Sequence, residues 1–170
     1  MFKLTARSTV NEWASHEQKL AESLFPIEFN ITKELYEFGV TAYRNNYSTG
    51  LWTNGVKDVL RRLGHAEGFL TFPQFHDGTF SREWLFDFVW ADAKRTPNGQ
   101  DEFDWRHTRS LRLACECEWT PTESEVLTDF FKLAFVVADL RLFVYSNTMI
   151  NSNGRSIHPV DLCKRASPLS

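Results

Sequence analysis

The sequence lacks the marks of several large protein classes. Its longest apolar runs, Phe130–Phe131 and Leu133–Ala138, are far shorter than the roughly 20 residues that a membrane-spanning helix needs. The beginning of the chain has no continuous apolar segment, so we expect no secretory signal. The sequence contains neither a repeat of roughly 20–50 residues nor a Walker-type or GxGxxG phosphate loop. These absences argue against a membrane protein, a repeat protein and a protein with a glycine-rich nucleotide loop.

A large excess of either charge and a set of paired cysteines are also missing. Nineteen basic and 22 acidic side chains give a net charge of −3, which argues against a polybasic nucleic-acid coat but leaves room for a local basic groove. The three cysteines are an odd number, and Cys115 and Cys117 are poorly spaced for a mutual disulfide. Because no second CxC or CxxC pair is present, core packing is favoured over zinc binding. We expect a reduced, cytoplasmic protein.

The length and composition are those of one globular domain. The chain has 170 residues, of which 42% are hydrophobic and 24% charged. Fifteen Phe, six Trp and four Tyr predict a core rich in aromatic side chains. We expect a single domain over residues 1–170, with its core at about 31–146 and a loosely packed tail at about 147–170.

Apolar periodicity and capping residues predict helices in the first third of the chain. The expected helices are one over 12–24 that ends before Pro26, a second from a cap at Asn30 or Thr32 to about Asn46, and a third from a cap at Asn54 to a stop at Gly64. Further along, Thr122 and Glu125 form a T-x-x-E capping box that opens a helix reaching about Asp139. A short final helix over 159–165 is a further expectation.

Apolar segments with turn signals between them predict strands in the remaining two thirds. The expected strands are a short one over 69–72, one over 83–92 that is covered on both faces, one over 110–119 and one over 141–146. A polar turn over 94–104 separates the second from the third. This order of helices, strands, helix and strand predicts an α/β fold, a small mixed β-sheet flanked by helices.

Acidic side chains stand where the strands should be buried. Strand periodicity places Glu116 and Glu118 on one face, and two adjacent buried carboxylates are unfavourable unless a cation compensates them. Mg²⁺ and Mn²⁺ take oxygen ligands, and Asp87, alone in an apolar run, would add a third carboxylate if its strand is adjacent. Such a set suits metal-assisted phosphodiester hydrolysis. The alternatives are an edge strand whose acids are solvated, with Arg112 pairing Glu116, and an Asp87 that caps a turn or helix.

Basic residues offer two further groups. Asp129 and Lys132 lie one helical turn apart. Lys132 either extends along the apolar surface to solvent or reaches the acidic face, where it would stabilise charge on a phosphorane-like transition state. Four other side chains are candidate contacts to nucleic-acid phosphates, with a solvated surface as the alternative for each: Lys57, Arg61, Arg109 and Arg112.

Together these features resemble the PD-(D/E)XK phosphodiesterase superfamily, to which the type II restriction endonucleases belong. The resemblance rests on Asp87, on the E-x-E of Glu116 and Glu118, on a helix containing Asp129 and Lys132, and on a following strand RLFVYS. It implies a restriction-endonuclease-like αβββαβ core, here with extra N-terminal helices, and site acids on the second and third core strands.

The resemblance also implies roles for individual residues. Asp87 matches the first aspartate of the family and Glu116 matches its D/E position. Glu118 stands where the family has lysine, a departure that some members share, and Lys132 would then be a lysine that has migrated to the following helix. Glu34, or alternatively Glu37, on the first core helix would complete the metal ligands with Asp87 and Glu116.

The expected function is that of a Mg²⁺- or Mn²⁺-dependent nuclease that hydrolyses phosphodiester bonds, with DNA as the expected partner. One alternative is a non-catalytic interaction or regulatory protein that retains the fold. Another is an acidic-sheet domain that binds a protein partner. A homodimer is left open, and no association with membranes is expected.

Overall fold

The computed structural model describes residues 26–76, 79–80, 85–93, 108–119, 122–146, 149–150 and 156–157. The helix expected over 12–24, the turn over 94–104 and the final helix over 159–165 lie outside these residues. The chain divides into two compact units, a helical unit that ends at Glu67 and a sheet unit that begins at Gly68. The expectation of a single domain over residues 1–170 stays a prediction.

Helices and strands together form a mixed α/β protein, as the sequence predicts. The helices are α1 (Pro26–Arg44), α2 (Thr49–Ala66) and α3 (Glu123–Phe135). The strands of the main sheet are β1 (Leu70–Phe72), β4 (Phe88–Ala93), β5 (Thr108–Glu118) and β6 (Ala138–Tyr145), and two small pairs are formed by β2 (Phe75–His76) with β3 (Thr79–Phe80) and by β7 (Met149–Ile150) with β8 (Ser156–Ile157). No helix in the described ranges is long and apolar enough to cross a membrane.

Helix α1 corresponds to the second expected helix and begins before both of its expected caps, Asn30 and Thr32. Pro26 is its first residue, and proline suits this position because its fixed φ is already helical and its missing N–H would have no partner there. Thr32 does not cap the helix. Its hydroxyl instead donates to the carbonyl of Glu28, 2.8 Å away, inside the helix.

The bounds of α2 also differ from the prediction. Its N-cap is Ser48, whose hydroxyl accepts from the N–H of Leu51 at 3.4 Å, so the expected cap at Asn54 is wrong. It ends at Ala66, past the predicted stop at Gly64, with Glu67 as its C-cap, and the following Gly68 adopts a φ of +80°. Glycine takes this left-handed conformation at low cost, which is why it commonly follows the last turn of a helix.

Within the helical unit, α1 and α2 meet at Gly55. A Cβ atom at this position would lie 2.1 Å from the ring of Phe38, so only glycine admits that ring. Trp52 packs edge-on against the same ring, with 5.4 Å between the ring centroids. The contact therefore depends on the small size of one residue.

The main sheet has the strand order β1-β4-β5-β6. The pairs β1/β4 and β4/β5 are antiparallel, whereas β5 and β6 are parallel. A parallel pair of neighbouring strands needs a crossover, and α3 forms part of it. The helix opens with the predicted capping box, in which Thr122 and Glu125 bond to each other reciprocally. It ends at Phe135 rather than near Asp139.

The early end of α3 and the early start of β6 have one local cause. Val136 adopts an extended conformation, with φ −73° and ψ 140°, and its N–H still donates to the carbonyl of Lys132 at 3.2 Å. Two consecutive β-branched residues, Val136 and Val137, favour extended backbone over helix. The strand then begins at Ala138, three residues before the predicted position.

Both faces of the sheet are buried at its centre, as the apolar run in β4 predicts. On one face, Val89, Ala114 and Phe143 form a cluster with Val126 and Leu133 of α3. The opposite face carries four side chains with no exposed surface: Phe88, Trp90, Leu113 and Cys115. Any charged group on β5 facing α3 is therefore surrounded by apolar atoms.

We expect Gly55→Ala to lower the free energy of unfolding by about 1–3 kcal/mol, because the new methyl group must displace the Phe38 ring. The matched control is Gly50→Ala, at a position on the same helix where a Cβ would meet nothing within 4 Å. It should be neutral or stabilising by up to about 1 kcal/mol. Urea unfolding followed by circular dichroism measures both. Equal effects of the two substitutions would contradict the packing described here.

Candidate functional site

Glu116 is a buried carboxylate near the end of β5. Its side chain is only 2% exposed, and in the sheet it is paired with Phe143 of β6. Its Oε1 lies 2.6 Å from the Nζ of Lys132 on α3, which makes a close ion pair. The interpretation of this strand as a solvated edge is therefore wrong for Glu116.

Asp87 lies beside Glu116, in the residue just before β4 begins. Its backbone N–H donates to the Oε2 of Glu116 at 3.4 Å. Its own Oδ2 accepts the backbone N–H of Cys117 at 2.6 Å. Since the β4 ladder ends at the pair Phe88 and Cys115, the Asp87 carboxylate takes over a β5 donor that the ladder leaves free. Asp87 thus joins the two strands and stands next to the buried glutamate.

Lys132 joins two carboxylates. Its Nζ lies 2.7 Å from the Oδ1 of Asp129 in addition to its contact with Glu116. The spacing of Asp129 and Lys132 on α3 holds the ammonium group in place from the helix side. About a third of the Lys132 side chain is exposed, so the ammonium stands at the border between the buried carboxylate and solvent. It reaches the acidic face, as one of the two sequence interpretations predicts.

Burial and charge shift the pKa values of this pair. Burial raises the pKa of Glu116, the adjacent Lys132 ammonium lowers it and the charge of Asp87 raises it, with a result of about 7. Burial alone would lower the pKa of Lys132, but its bonds to Asp129 and Glu116 raise that pKa above the ordinary value. Lys132 therefore stays a cation at neutral pH, while Glu116 lies near the midpoint of its titration.

The other predicted acids belong to the end of β5 and to α1. Glu118 is half-buried at the end of β5 and is paired in the sheet with Tyr145. Glu34 belongs to α1 and forms an ion pair with Arg62 at 2.8 Å within the helical unit, and Glu37 is exposed on the same helix. The structure brings Asp87 and Glu116 together with Lys132, and it records different contacts for Glu34.

The predicted phosphate contacts differ in exposure. Lys57 is 4% exposed, so the alternative of a solvated surface is wrong, and the same burial argues against the predicted contact with phosphates. Arg61 pairs with Asp58 at 2.7 Å, and Arg109 is exposed on β5.

Arg112 does not pair with Glu116. It pairs with Asp139 at 2.7 Å and lies over the ring of Phe69, 5.5 Å from the ring centroid. The alternative in which it makes Glu116 an ordinary surface residue is therefore wrong.

The cysteines of β5 behave as core residues. Cys115 is buried, and its Sγ lies 3.9 Å from that of Cys117, so both are free thiols. Burial and the nearby Cys117 raise the pKa of the Cys115 thiol well above its ordinary value, which keeps it in the unreactive neutral form.

The carboxylates of Asp87 and Glu116 fit a divalent cation only as a two-carboxylate site. Among the described residues, no group of three or more His, Cys, Asp and Glu side chains is arranged as a set of metal ligands. Two adjacent carboxylates, Asp87 and Glu116, nevertheless suit Mg²⁺, which commonly binds proteins through one or two carboxylates and keeps several waters. The Oε1 of Glu116 is buried and makes no hydrogen bond of good geometry, so its compensation comes from the ion pair alone.

A cavity adjoining Lys132 is the feature that sequence reasoning missed. It has a volume of about 480 Å³ and lies between Leu85–Phe86 and the C-terminal half of α3. Phe131 and Phe135 line it and are 37% and 82% exposed. The signal in the sequence was the run FFKLAFVV, which is apolar on more sides of the helix than one buried face requires.

The chain was compared with protein-family models, curated proteins and solved structures, and it matches none of them. The resemblance to the PD-(D/E)XK superfamily therefore stays a prediction based on a few residues. Function has to be argued from the geometry of the site.

We expect the stability of the metal-free protein to fall as the pH rises from about 4.5 to 7. In this window the native state holds a proton on Glu116 that the unfolded state has released, because the native pKa is the higher one. The effect should be on the order of 2–3 kcal/mol. Urea unfolding in EDTA across this range should give a flatter profile for Glu116→Gln than for wild type. Parallel profiles would contradict the raised pKa.

Proposed function

We propose that this protein is a Mg²⁺- or Mn²⁺-dependent nuclease that hydrolyses phosphodiester bonds. The observation that carries the proposal is the buried Glu116 carboxylate, flanked by Asp87 on one side and by the Lys132 ammonium on the other. Buried carboxylates beside a fixed cation, at the solvent border of a sheet, are an arrangement typical of functional sites.

The order of elements supports the restriction-endonuclease-like part of the proposal. Among the described elements, and with the two-residue strands left aside, the helices of the helical unit are followed by three strands of the main sheet, then by α3 and β6; this agrees with an αβββαβ core that has an extra N-terminal helix. Asp87 immediately precedes the second of these strands, and Glu116 lies on the third. These are the places at which the family carries its acids.

In this proposal Asp87 and Glu116 hold the cation. A bound Mg²⁺ or Mn²⁺ would polarise a phosphoryl oxygen and lower the pKa of the attacking water. The β5 backbone orients Asp87 through the N–H of Cys117, and the backbone of Asp87 orients Glu116. Glu118 lies on the same face of β5 by strand periodicity, and in this proposal it would help to hold a water beside the cation.

Lys132 would stabilise the charge that develops on the phosphate. Its ammonium is held at the solvent border by Asp129 and Glu116, and its raised pKa keeps it charged at neutral pH. A preorganised cation of this kind needs no reorganisation as charge builds up in the transition state.

The second candidate function is a non-catalytic protein that retains this fold. The observation that favours it is that the Lys132 ammonium forms ion pairs with both Glu116 and Asp129. In that case the ion pair serves stability alone, and the exposed side chains of Phe135 and Val137 belong to a surface for a protein partner.

Glu116→Gln should reduce Mg²⁺-dependent cleavage of plasmid, single-stranded DNA or RNA by at least about 100-fold, because it removes the charge that holds the cation. Glutamine keeps the shape of the side chain, so the fold should persist. Glu123→Gln is the control, since Glu123 is exposed in the first turn of α3.

The same two variants separate binding from chemistry. Mg²⁺ or Mn²⁺ should raise the melting temperature of wild type and of Glu123→Gln by mass action, but not that of Glu116→Gln. Wild-type protein that cleaves none of the three substrates and shows no metal-dependent shift would favour the non-catalytic function.

Lys132→Met should lower the cleavage rate by about 10²–10³-fold, which is the usual cost of losing one donor that stabilises a transition state. Methionine retains an apolar stem of similar length, so lost packing should contribute little. The measurement is single-turnover cleavage at saturating protein. Unchanged rates together with lower stability would mean that Lys132 only neutralises Glu116.

A further inference from the structure

The cavity next to Lys132 has a chemical character of its own. Leu85 forms an exposed wall, 58% of its side chain lying in solvent, and Phe86 is buried at 3%. The rings of Phe131 and Phe135 are stacked on one another, with centroids 6.1 Å apart and planes 21° from parallel. The cavity therefore presents an aromatic surface that is open to solvent.

Polar groups are few in this cavity. Thr128 contributes a hydroxyl, which already donates to the carbonyl of Ser124 at 2.8 Å, and Lys132 contributes its ammonium. A ligand would be held by its flat apolar faces more than by hydrogen bonds at its edges. The volume of about 480 Å³ lies within the range of small-molecule sites and has room for one base with its sugar.

Lys132 belongs to both the cavity and the carboxylate site. Its ammonium contacts Glu116 and Asp129, and its side chain lines the cavity wall. A ligand in the cavity would therefore place an attached phosphate close to the carboxylates, so one nucleotide could fill the cavity and present its phosphodiester to the site.

We propose that this cavity holds an unstacked nucleobase of a single-stranded or unpaired nucleic acid, with the base against Phe131 and Phe135. The choice of ligand rests on the proposed function. Stacking on aromatic side chains is tolerant of base identity, which agrees with the scarcity of polar groups. A base paired in a duplex cannot enter without first leaving the helix, so single strands are the preferred substrate class.

The test compares two strands that differ only in their bases. A fluorescent oligothymidylate and a strand of equal length with abasic sites carry the same phosphates, so the ratio of their dissociation constants isolates base binding from phosphate binding. Fluorescence anisotropy in EDTA measures both without cleavage. Wild-type protein should bind the base-containing strand about tenfold or more tightly than the abasic strand.

Phe135→Leu should remove most of this preference and leave the affinity for the abasic strand unchanged. Phe135 is 82% exposed, so the substitution should not disturb the core. Phe131→Leu is a second variant with the same expectation. Tyr43→Leu, at an aromatic residue that is 59% exposed and outside the cavity lining, is the matched control and should behave as wild type. An oligouridylate arm shows whether RNA binds in the same way.

Several outcomes would overturn the inference. They are an absence of binding to single strands, an equal affinity for abasic strands, and a preference that survives both phenylalanine substitutions. Sedimentation could also show that the wild-type protein is a dimer and that Phe135→Leu dissociates it. If the protein then showed no base preference, the aromatic surface of Phe131 and Phe135 would be a contact with a second copy of the chain. Base preference without cleavage would end the nuclease proposal alone, whereas cleavage without base preference would end this inference alone.

Discussion

The buried carboxylate of Glu116 is the constraint on which the sheet unit depends. A buried charge on β5 that faces α3 is strongly unfavourable unless a partner and hydrogen bonds compensate it. Two groups compensate the charge of Glu116: the ammonium of Lys132 on the crossover helix and the backbone N–H of Asp87. In addition, the pKa of Glu116, about 7, allows the carboxyl group to become neutral by taking up a proton. The Lys132 contribution depends on the topology, because the parallel β5/β6 pair needs a crossover and α3 forms part of it.

The same balance bears on chemistry. A carboxylate that is half-protonated near neutral pH must release its proton before it can bind a metal ion, so any metal binding at this site would be linked to pH. Lys132 forms an ion pair with Glu116 and stands at the border between that carboxylate and solvent. The ion pair is thus compatible with catalysis and with a purely structural role, and this is why activity and metal binding have to be measured separately.

Local signals in the sequence predicted much of this arrangement. The apolar run of β4, the alternation in β5 and the Thr122–Glu125 capping box each carry their own information, and the facing of Asp87 and Glu116 follows from strand adjacency and a period of two. The predicted start of α2 was wrong because two residues offer similar capping chemistry: Asn54 was expected to cap the helix, and Ser48 caps it. The burial of Lys57, the partner of Arg112 and the cavity could not be predicted, since they depend on tertiary contacts between segments far apart in the chain.

The C-terminal end of α3 exposes aromatic side chains beside the buried ion pair. A helix that serves only to cover a sheet needs one apolar face, and Val126 and Leu133 supply it here. Phe131 and Phe135 lie outside that requirement, and exposing them has a cost in solubility that packing does not offset. Their position next to Lys132 is a second consequence of the same helix. Phe131 directly precedes the lysine and Phe135 follows it by one turn, so the register that brings the ammonium to Glu116 also places both rings. The helix register that brings Lys132 to the buried Glu116 carboxylate therefore also fixes the position of the aromatic surface relative to that carboxylate.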